Sequence, residues 1–174
     1  MSPVRIAVTG PESSGKSVLT QALAAHFHTS YAPEFAREFL SSSGGAYDVH
    51  DLDRICRGQI RNEERAIQSA ARLCFFDTDM LVIKIWSQFR FGTVSERIRR
   101  AVQERTYHFR LLCKPDLPWT PDPFRESPDP AERMELFAMY RRELDEAKAD
   151  YFIVEGQGEN RLNTTLKFLE SKGL

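Results

Sequence analysis

Residues 10–17 read "GPESSGKS" and match G-x-x-x-x-G-K-S/T in full, through Gly10, Gly15, Lys16 and Ser17. The stretch lies between an apolar run, "VRIAVT" at 4–9, and a segment where Val18, Leu19, Ala22, Leu23 and Phe27 recur at helical spacing. A buried strand, a glycine-bearing loop and a helix in this order leave few folds open. Glycines let the backbone curl until successive N–H groups point at one anion, and the helix N-terminus adds its partial positive charge. In such a loop the lysine reaches the β- and γ-phosphates of a nucleotide, and the hydroxyl beside it binds Mg²⁺. Lys16 and Ser17 are expected in those roles. Glu12, Ser13, Ser14 and Val18 are expected to complete the donor-nucleotide contact.

The rest of the chain keeps alternating. A brief strand is predicted near Ser30–Ala32, a helix from Pro33, and a polar loop over "SSSGGAYDV". Asp51 is expected to cap a long helix through about Ala71. "LCFF" at 73–76 reads as a buried strand ending at Asp77. "MLVIKIWSQFRF" is too long for a strand and reads as a packed helix ending near Gly92. Ser95 caps a further helix, "YHFRLLC" at 107–113 is a strand, and Asp129-Pro130 opens a helix through about Ala149. "DYFIV" at 150–154 is the last strand, before "EGQGENR" and a closing helix. Strands alternating with helices throughout predict an α/β fold, a parallel sheet with helices on both faces. The whole chain, 1–174, reads as one domain, with no internal repeat and no linker.

One segment resists that pattern. Six of the nine prolines fall at 115, 118, 121, 123, 128 and 130. Such a stretch is neither a core strand nor a helix interior. It is an insertion at about 115–133, between a strand and a helix, near where open α/β sheets bind ligands. It also carries Trp119, Arg125 and Arg133. These are the features of a kinase lid, which closes over the donor phosphates, brings arginine to the transferring group and excludes water.

Composition narrows the partners. Lys+Arg 24 against Asp+Glu 25 gives no electrostatic footprint for nucleic acid. No apolar run approaches the ~20 residues a membrane helix needs, and the N-terminus has no signal-peptide pattern. Cys56, Cys74 and Cys113 lie far apart with no CxxC pair, so neither zinc nor a disulfide framework is indicated; a reducing cytosol is the expected setting.

Three carboxylates compete for the chemistry. Asp77 and Asp79 end a strand in "DTD", where P-loop proteins hold Mg²⁺ directly or through water. One of them is equally suited to cap the helix that follows. Glu34 comes to the end of a neighbouring strand. Asp77 is assigned to Mg²⁺ or its water shell, and Asp79 or Glu34 to the acceptor, with an exchange of roles left open. Arg37 has a carboxylate or a donor phosphate as candidate partner. Asp116 and Asp122 either bind the acceptor or cap turns, and Gln59 reads as an ordinary exposed polar residue. Guanine recognition through N-K-x-D is missing from the sequence.

"GPESSGKS…LA..F", "YAPEFAREFL", "DL..I..GQ", "FFDTDMLVIKIWSQFRFG", "LLCKPDLPWTPDPFRESP" and "R…LF..Y" occur in this order. Together they resemble the ribosylnicotinamide kinase domain of NadR-type proteins, from about Ile6 to Arg161. The resemblance implies a P-loop kinase fold with a closing lid and an ATP- and Mg²⁺-dependent transfer to the 5′-hydroxyl of nicotinamide riboside, giving nicotinamide mononucleotide. Full-length relatives carry an adenylyltransferase domain with an H-x-G-H element, for which this chain has no counterpart, so adenylyl transfer and DNA-bound repression do not follow. A flat cationic acceptor ring favours an aromatic face. Trp119 is the preferred face, Tyr31 and Phe35 are further candidates, and Trp86 is assigned to the core. Arg161 is the candidate to stack on adenine, and Arg125 the lid arginine at the transferring group. Another nucleoside or metabolite kinase, or an ATP-binding regulatory module, are the alternative readings. Oligomeric state is not legible.

Overall fold

The strand Val4–Thr9 (β1) leads through the glycine loop into the helix Lys16–His26 (α1). Then come β2 (Tyr31–Ala32), α2 (Phe35–Ser42), α3 (Asp51–Ser69), β3 (Leu73–Asp77), α4 (Met80–Phe91) and α5 (Glu96–Glu104). The chain closes with β4 (Phe109–Cys113), α6 (Pro130–Glu146), β5 (Tyr151–Val154) and α7 (Gly158–Ser171). The computed structural model describes residues 2–174; Met1, the first residue of the expected 1–174 domain, lies outside the described residues.

The five strands form one parallel sheet in the order β2-β3-β1-β4-β5. Both faces are covered, as a parallel sheet requires. From β1, Ile6 and Val8 pack with Phe75, Leu111 and Val154 under α1 and α7. Ala7 points the other way, toward Cys74, Phe76 and Ala66 of α3. Leu112 of β4 packs against α4 and α6 through Ile85, Leu136 and Tyr140. All three cysteines are buried and free. No described helix is long and apolar enough to cross a membrane.

Local chemistry sets the element ends. Ser95 Oγ accepts from Ile98 N–H at 3.2 Å and Asp129 from Ala131 N–H at 2.8 Å, so both expected caps form. Several ends move inward. The helix expected from Pro33 starts at Phe35, because Glu34 stays extended. The helices expected to reach 71 and 149 stop at Ser69 and Glu146. The strand expected from 107 starts at Phe109. Asp51 is not the cap of α3 but lies in its first turn after His50. The turn is instead closed by Asp48, whose Oδ1 accepts from the N–H groups of His50 and Asp51. Residues 114–129 contain no helix or strand, as their prolines dictate.

Candidate active site

The loop after β1 is fixed largely by its own backbone. Gly10 has φ 133°, and a Cβ there would stand 2.6 Å from the Cys113 carbonyl oxygen, so β4 leaves no room for a side chain. Ser14 Oγ donates to the Pro11 carbonyl at 2.7 Å. Lys16 folds over the loop, its Nζ donating to the Gly10 and Pro11 carbonyls at 3.0 and 2.7 Å. Arg161 braces the loop from behind. Its guanidinium donates to Ser14, Lys114 and Gly156 carbonyls and to Asp116 Oδ1, and the residue is 5% exposed. That burial corrects the expected adenine stack: the guanidinium is buried behind the donor loop, outside the cavity, and offers a base no open face. Asp116 completes the brace by accepting from Gly156 N–H at 2.8 Å, the turn-capping role.

Register places the carboxylates. Asp77 stands opposite Val8 at the end of β3, beside the donor loop. It is buried, and its Oδ1 has no hydrogen-bond partner. Burial pushes its carboxyl up, against the pull of Ser17 and Lys16. An orphaned buried carboxylate oxygen beside a hydroxyl is the donor set a hard cation takes in a P-loop. Among the described residues no three His, Cys, Asp or Glu side chains cluster to hold a metal. Ser17 and Asp77 therefore fit Mg²⁺ only together with phosphate and water oxygens.

Asp79, two residues on, has a different fate. Its Oδ1 accepts from Thr9 Oγ1 at 2.9 Å and from Val82 N–H at 3.3 Å, and its Oδ2 pairs with Arg110 Nε at 3.0 Å. It is fully buried. The expected acceptor or catalytic role does not fit an aspartate whose oxygens are spent on capping α4 and neutralising Arg110.

Glu34 does reach the cavity. Burial raises its carboxyl, Lys16 lowers it and Asp77 raises it further. Gln59, expected on the surface, is 1% exposed and links the two carboxylate-bearing segments. Its Oε1 accepts from Phe35 N–H at 2.9 Å, and its Nε2 donates to the Asp77 and Thr78 carbonyls, each at 3.3 Å. Thr78 carries φ 81°, a strained value for a β-branched residue, and this bond helps hold it there. Gly58 makes the approach possible: a Cβ there would fall 2.1 Å from the Phe35 ring. That ring packs against α3, which corrects its candidacy as an acceptor face.

A cavity of about 390 Å³ opens above these groups. One wall is the donor loop, Gly10 to Val18; the others come from α2, α4, α6 and the lid. Glu34, Arg37, Asp122 and Arg125 all line it. Arg37 pairs with Asp122, one bond being 3.0 Å, and so ties α2 to the lid. Arg125 faces the cavity while its Nη1 donates to the Thr120 carbonyl at 2.5 Å. Arg133 turns away, buried against the Ser127 and Pro128 carbonyls.

The aromatic wall is not the expected one. Val82, Ile85, Trp86 and Phe89, one stripe of α4, face the cavity. Trp119 lies outside it, with its Nε1 buried and unpartnered, and Tyr31 is exposed on the short strand β2. Trp86 is held by an edge contact with Tyr47 at 4.9 Å and by donation from its Nε1 to the Tyr47 hydroxyl at 3.0 Å. The sequence carried a signal for this face: residues 82, 85, 86 and 89 have helical spacing directly after the metal-side aspartate.

The chain is 27% identical over 154 residues to the trifunctional NAD biosynthesis/regulator protein NadR of Escherichia coli, covering 86% of this chain and 38% of that protein. It is 29% identical over 124 residues to the Salmonella typhimurium NadR protein, covering 69% of this chain and 30% of that one. The chain thus spans well under half the length of these curated relatives. A NadR structure in complex with NR superposes with a TM-score of 0.80 at 20% identity, over 97% of this chain and 51% of the other. Thymidylate kinase from Ehrlichia chaffeensis, TM-score 0.66 at 10% identity, covers 97% of this chain and 100% of its own. Deoxyadenosine kinase from M. mycoides with bound dATP, TM-score 0.62 at 11% identity, covers 96% and 100%. The architecture is therefore the P-loop kinase fold. The family model described as the AAA domain matches residues 5–161, so the chain belongs to that family of P-loop domains.

Proposed function

We propose that this chain transfers the γ-phosphoryl group of ATP to the 5′-hydroxyl of nicotinamide riboside, giving nicotinamide mononucleotide and ADP. One observation carries the reading: a single cavity joins a complete donor loop to an aromatic, acid-bearing wall under an arginine-bearing lid. The NadR relatives, and a NadR structure solved with NAD and AMP-PNP, support it.

In this reading Lys16 leaves the Gly10 and Pro11 carbonyls for the β- and γ-phosphates. Ser17 and Asp77 would hold Mg²⁺, which would supply charge neutralisation for the phosphates. The acceptor oxygen attacks the γ-phosphorus, the bond to the β-bridging oxygen breaks, and ADP leaves with the electron pair. Glu34 takes the hydroxyl proton; its raised carboxyl is a better proton acceptor than an ordinary glutamate. Arg125 stabilises charge on the transferring group. Trp86 replaces Trp119 as the face for the cationic ring, with Asp122 and Arg37 closing the ribose side.

The test is a screen of nucleosides for ADP formation by the purified chain with ATP and Mg²⁺. Nicotinamide riboside is expected to give the fastest turnover. Turnover confined to another nucleoside would change the acceptor and leave the kinase assignment in place. No acceptor-dependent ADP formation at all would overturn both.

A further inference from the structure

An acidic side chain inside a phosphate-binding loop needs a reason, since it repels the ligand the loop is shaped for. Glu12 has one. Its Oε1 accepts from Ser127 N–H at 2.6 Å and its Oε2 from Glu126 N–H at 3.0 Å, so one carboxylate grips two consecutive lid amides. Bonds from N–H groups to a carboxylate are among the stronger ones in proteins. The same lid residues are held from the opposite side. The Glu126 carboxylate accepts from the Tyr47 hydroxyl at 2.9 and 2.8 Å and from Arg90 Nε at 2.9 Å. Tyr47 is the partner of Trp86. Residues 126–127 are thus the point where donor loop, lid and acceptor wall meet, and Arg125 precedes them directly.

We propose that Glu12 is a positioning residue that pins the lid to the donor loop, so that phosphoryl transfer goes to the acceptor and not to water. The inference rests on the kinase reading above. In either reaction the bond from the γ-phosphorus to the bridging oxygen breaks and ADP leaves with the electron pair. The new bond goes to the acceptor oxygen or to water oxygen, and the attacking group loses one proton. A lid also pinned to the donor loop excludes water and aims Arg125; a lid held only by Tyr47 and by the arginines of α2, α4 and α6 does neither.

Two measurements on the wild type, Glu12→Ala, Glu12→Gln and Glu12→Asp test this. The first is amide hydrogen exchange over residues 124–128 without nucleotide. Loss of both acceptor oxygens in Glu12→Ala is expected to speed exchange at Glu126 and Ser127 roughly tenfold or more, with Glu12→Gln between it and wild type. The second is the ratio of inorganic phosphate to phosphorylated acceptor formed per ATP. That ratio is expected to rise roughly tenfold in Glu12→Ala and to fall back part of the way in Glu12→Asp, which keeps the charge. Unchanged exchange in Glu12→Ala and Glu12→Gln, both with wild-type thermal midpoints, overturns the pinning. Faster exchange with an unchanged ratio overturns its role in partition. Failure of the kinase reading looks different: the wild type then makes no phosphorylated acceptor, while the exchange rates still decide whether Glu12 holds the lid.

Discussion

The donor loop and the lid line the same cavity, yet they are shaped by different means. Residues 10–17 take their form from local chemistry: positive φ at Gly10 and Gly15, a serine bonded within the loop, and a helix start directly behind. Residues 115–129 have no regular backbone bonding to lean on. Their form comes from distant side chains: Glu12 grips the Glu126 and Ser127 amides, Tyr47 and Arg90 the Glu126 carboxylate, and Arg37 Asp122. A self-shaped loop tolerates loss of a side chain and loses chemistry alone. A segment shaped from outside loses chemistry and order together.

The largest expected effect belongs to the self-shaped side. Lys16→Ala should cut turnover by about 10³-fold or more. Its thermal midpoint should stay near wild type, because Lys16 bonds only to loop carbonyls. Unfolding in step with the loss of activity would break the contrast.

Next come the two lid arginines, which look alike in sequence and face opposite ways. Arg125→Ala should lower kcat by about 10²-fold with a smaller change in acceptor KM, the pattern of a contact that strengthens in the transition state. Arg133→Ala should show mainly as a lower melting temperature, since it strips a buried donor from two carbonyls. Steady-state kinetics beside thermal melts on both variants would expose a reversal.

A smaller effect separates the two tryptophans. Trp86→Ala should weaken nicotinamide riboside roughly tenfold and Trp86→Phe less, as loss of a cation–π face predicts. Trp119→Ala should leave acceptor affinity within about twofold, because it does not line the cavity. Calorimetric titration of each variant distinguishes them.

The smallest effect lies outside both regions and serves as a control on stability. Glu63 is buried on α3 beside Arg105 Nε at 3.1 Å and the Tyr107 hydroxyl at 2.9 Å. Burial pushes its carboxyl up to about 7 from 4.5, outweighing the arginine. The folded chain then binds this proton more tightly than the unfolded chain. Stability from this group is present below 4.5 and is lost as pH rises toward 7. Glu63→Gln should flatten that slope in melts across the window, without moving acceptor affinity.

The same contrast explains what could be read from the chain alone. The sheet, its order of strands and helices, and the donor loop follow from local pattern, and only element ends shifted. "DTD" offered one carboxylate for a metal and one for a cap; Asp79 is the cap, and Asp77 keeps the unpartnered oxygen the metal reading asks for. Which residue does which depended on Arg110, brought beside Asp79 by the register of β4 on β1. Gln59 looked exposed because its partners, Phe35 N–H and the Asp77 and Thr78 carbonyls, lie on other elements. The glycine before it, placed mid-helix, was the available sign of a close approach. Trp119 attracted attention because a proline-rich segment offers an aromatic no obvious packing. The helix stripe holding Trp86 looked like core for the opposite reason, since a cavity wall and a core face share one periodicity.

This cavity is proposed to move phosphate from ATP to the 5′-hydroxyl of nicotinamide riboside. Phosphorus NMR of a reaction containing the purified chain, ATP, Mg²⁺ and nicotinamide riboside tests it directly. One 5′-phosphomonoester is expected for each ADP formed, and none with Lys16→Ala. ADP matched only by inorganic phosphate, with nicotinamide riboside unchanged at saturating concentration, would contradict it.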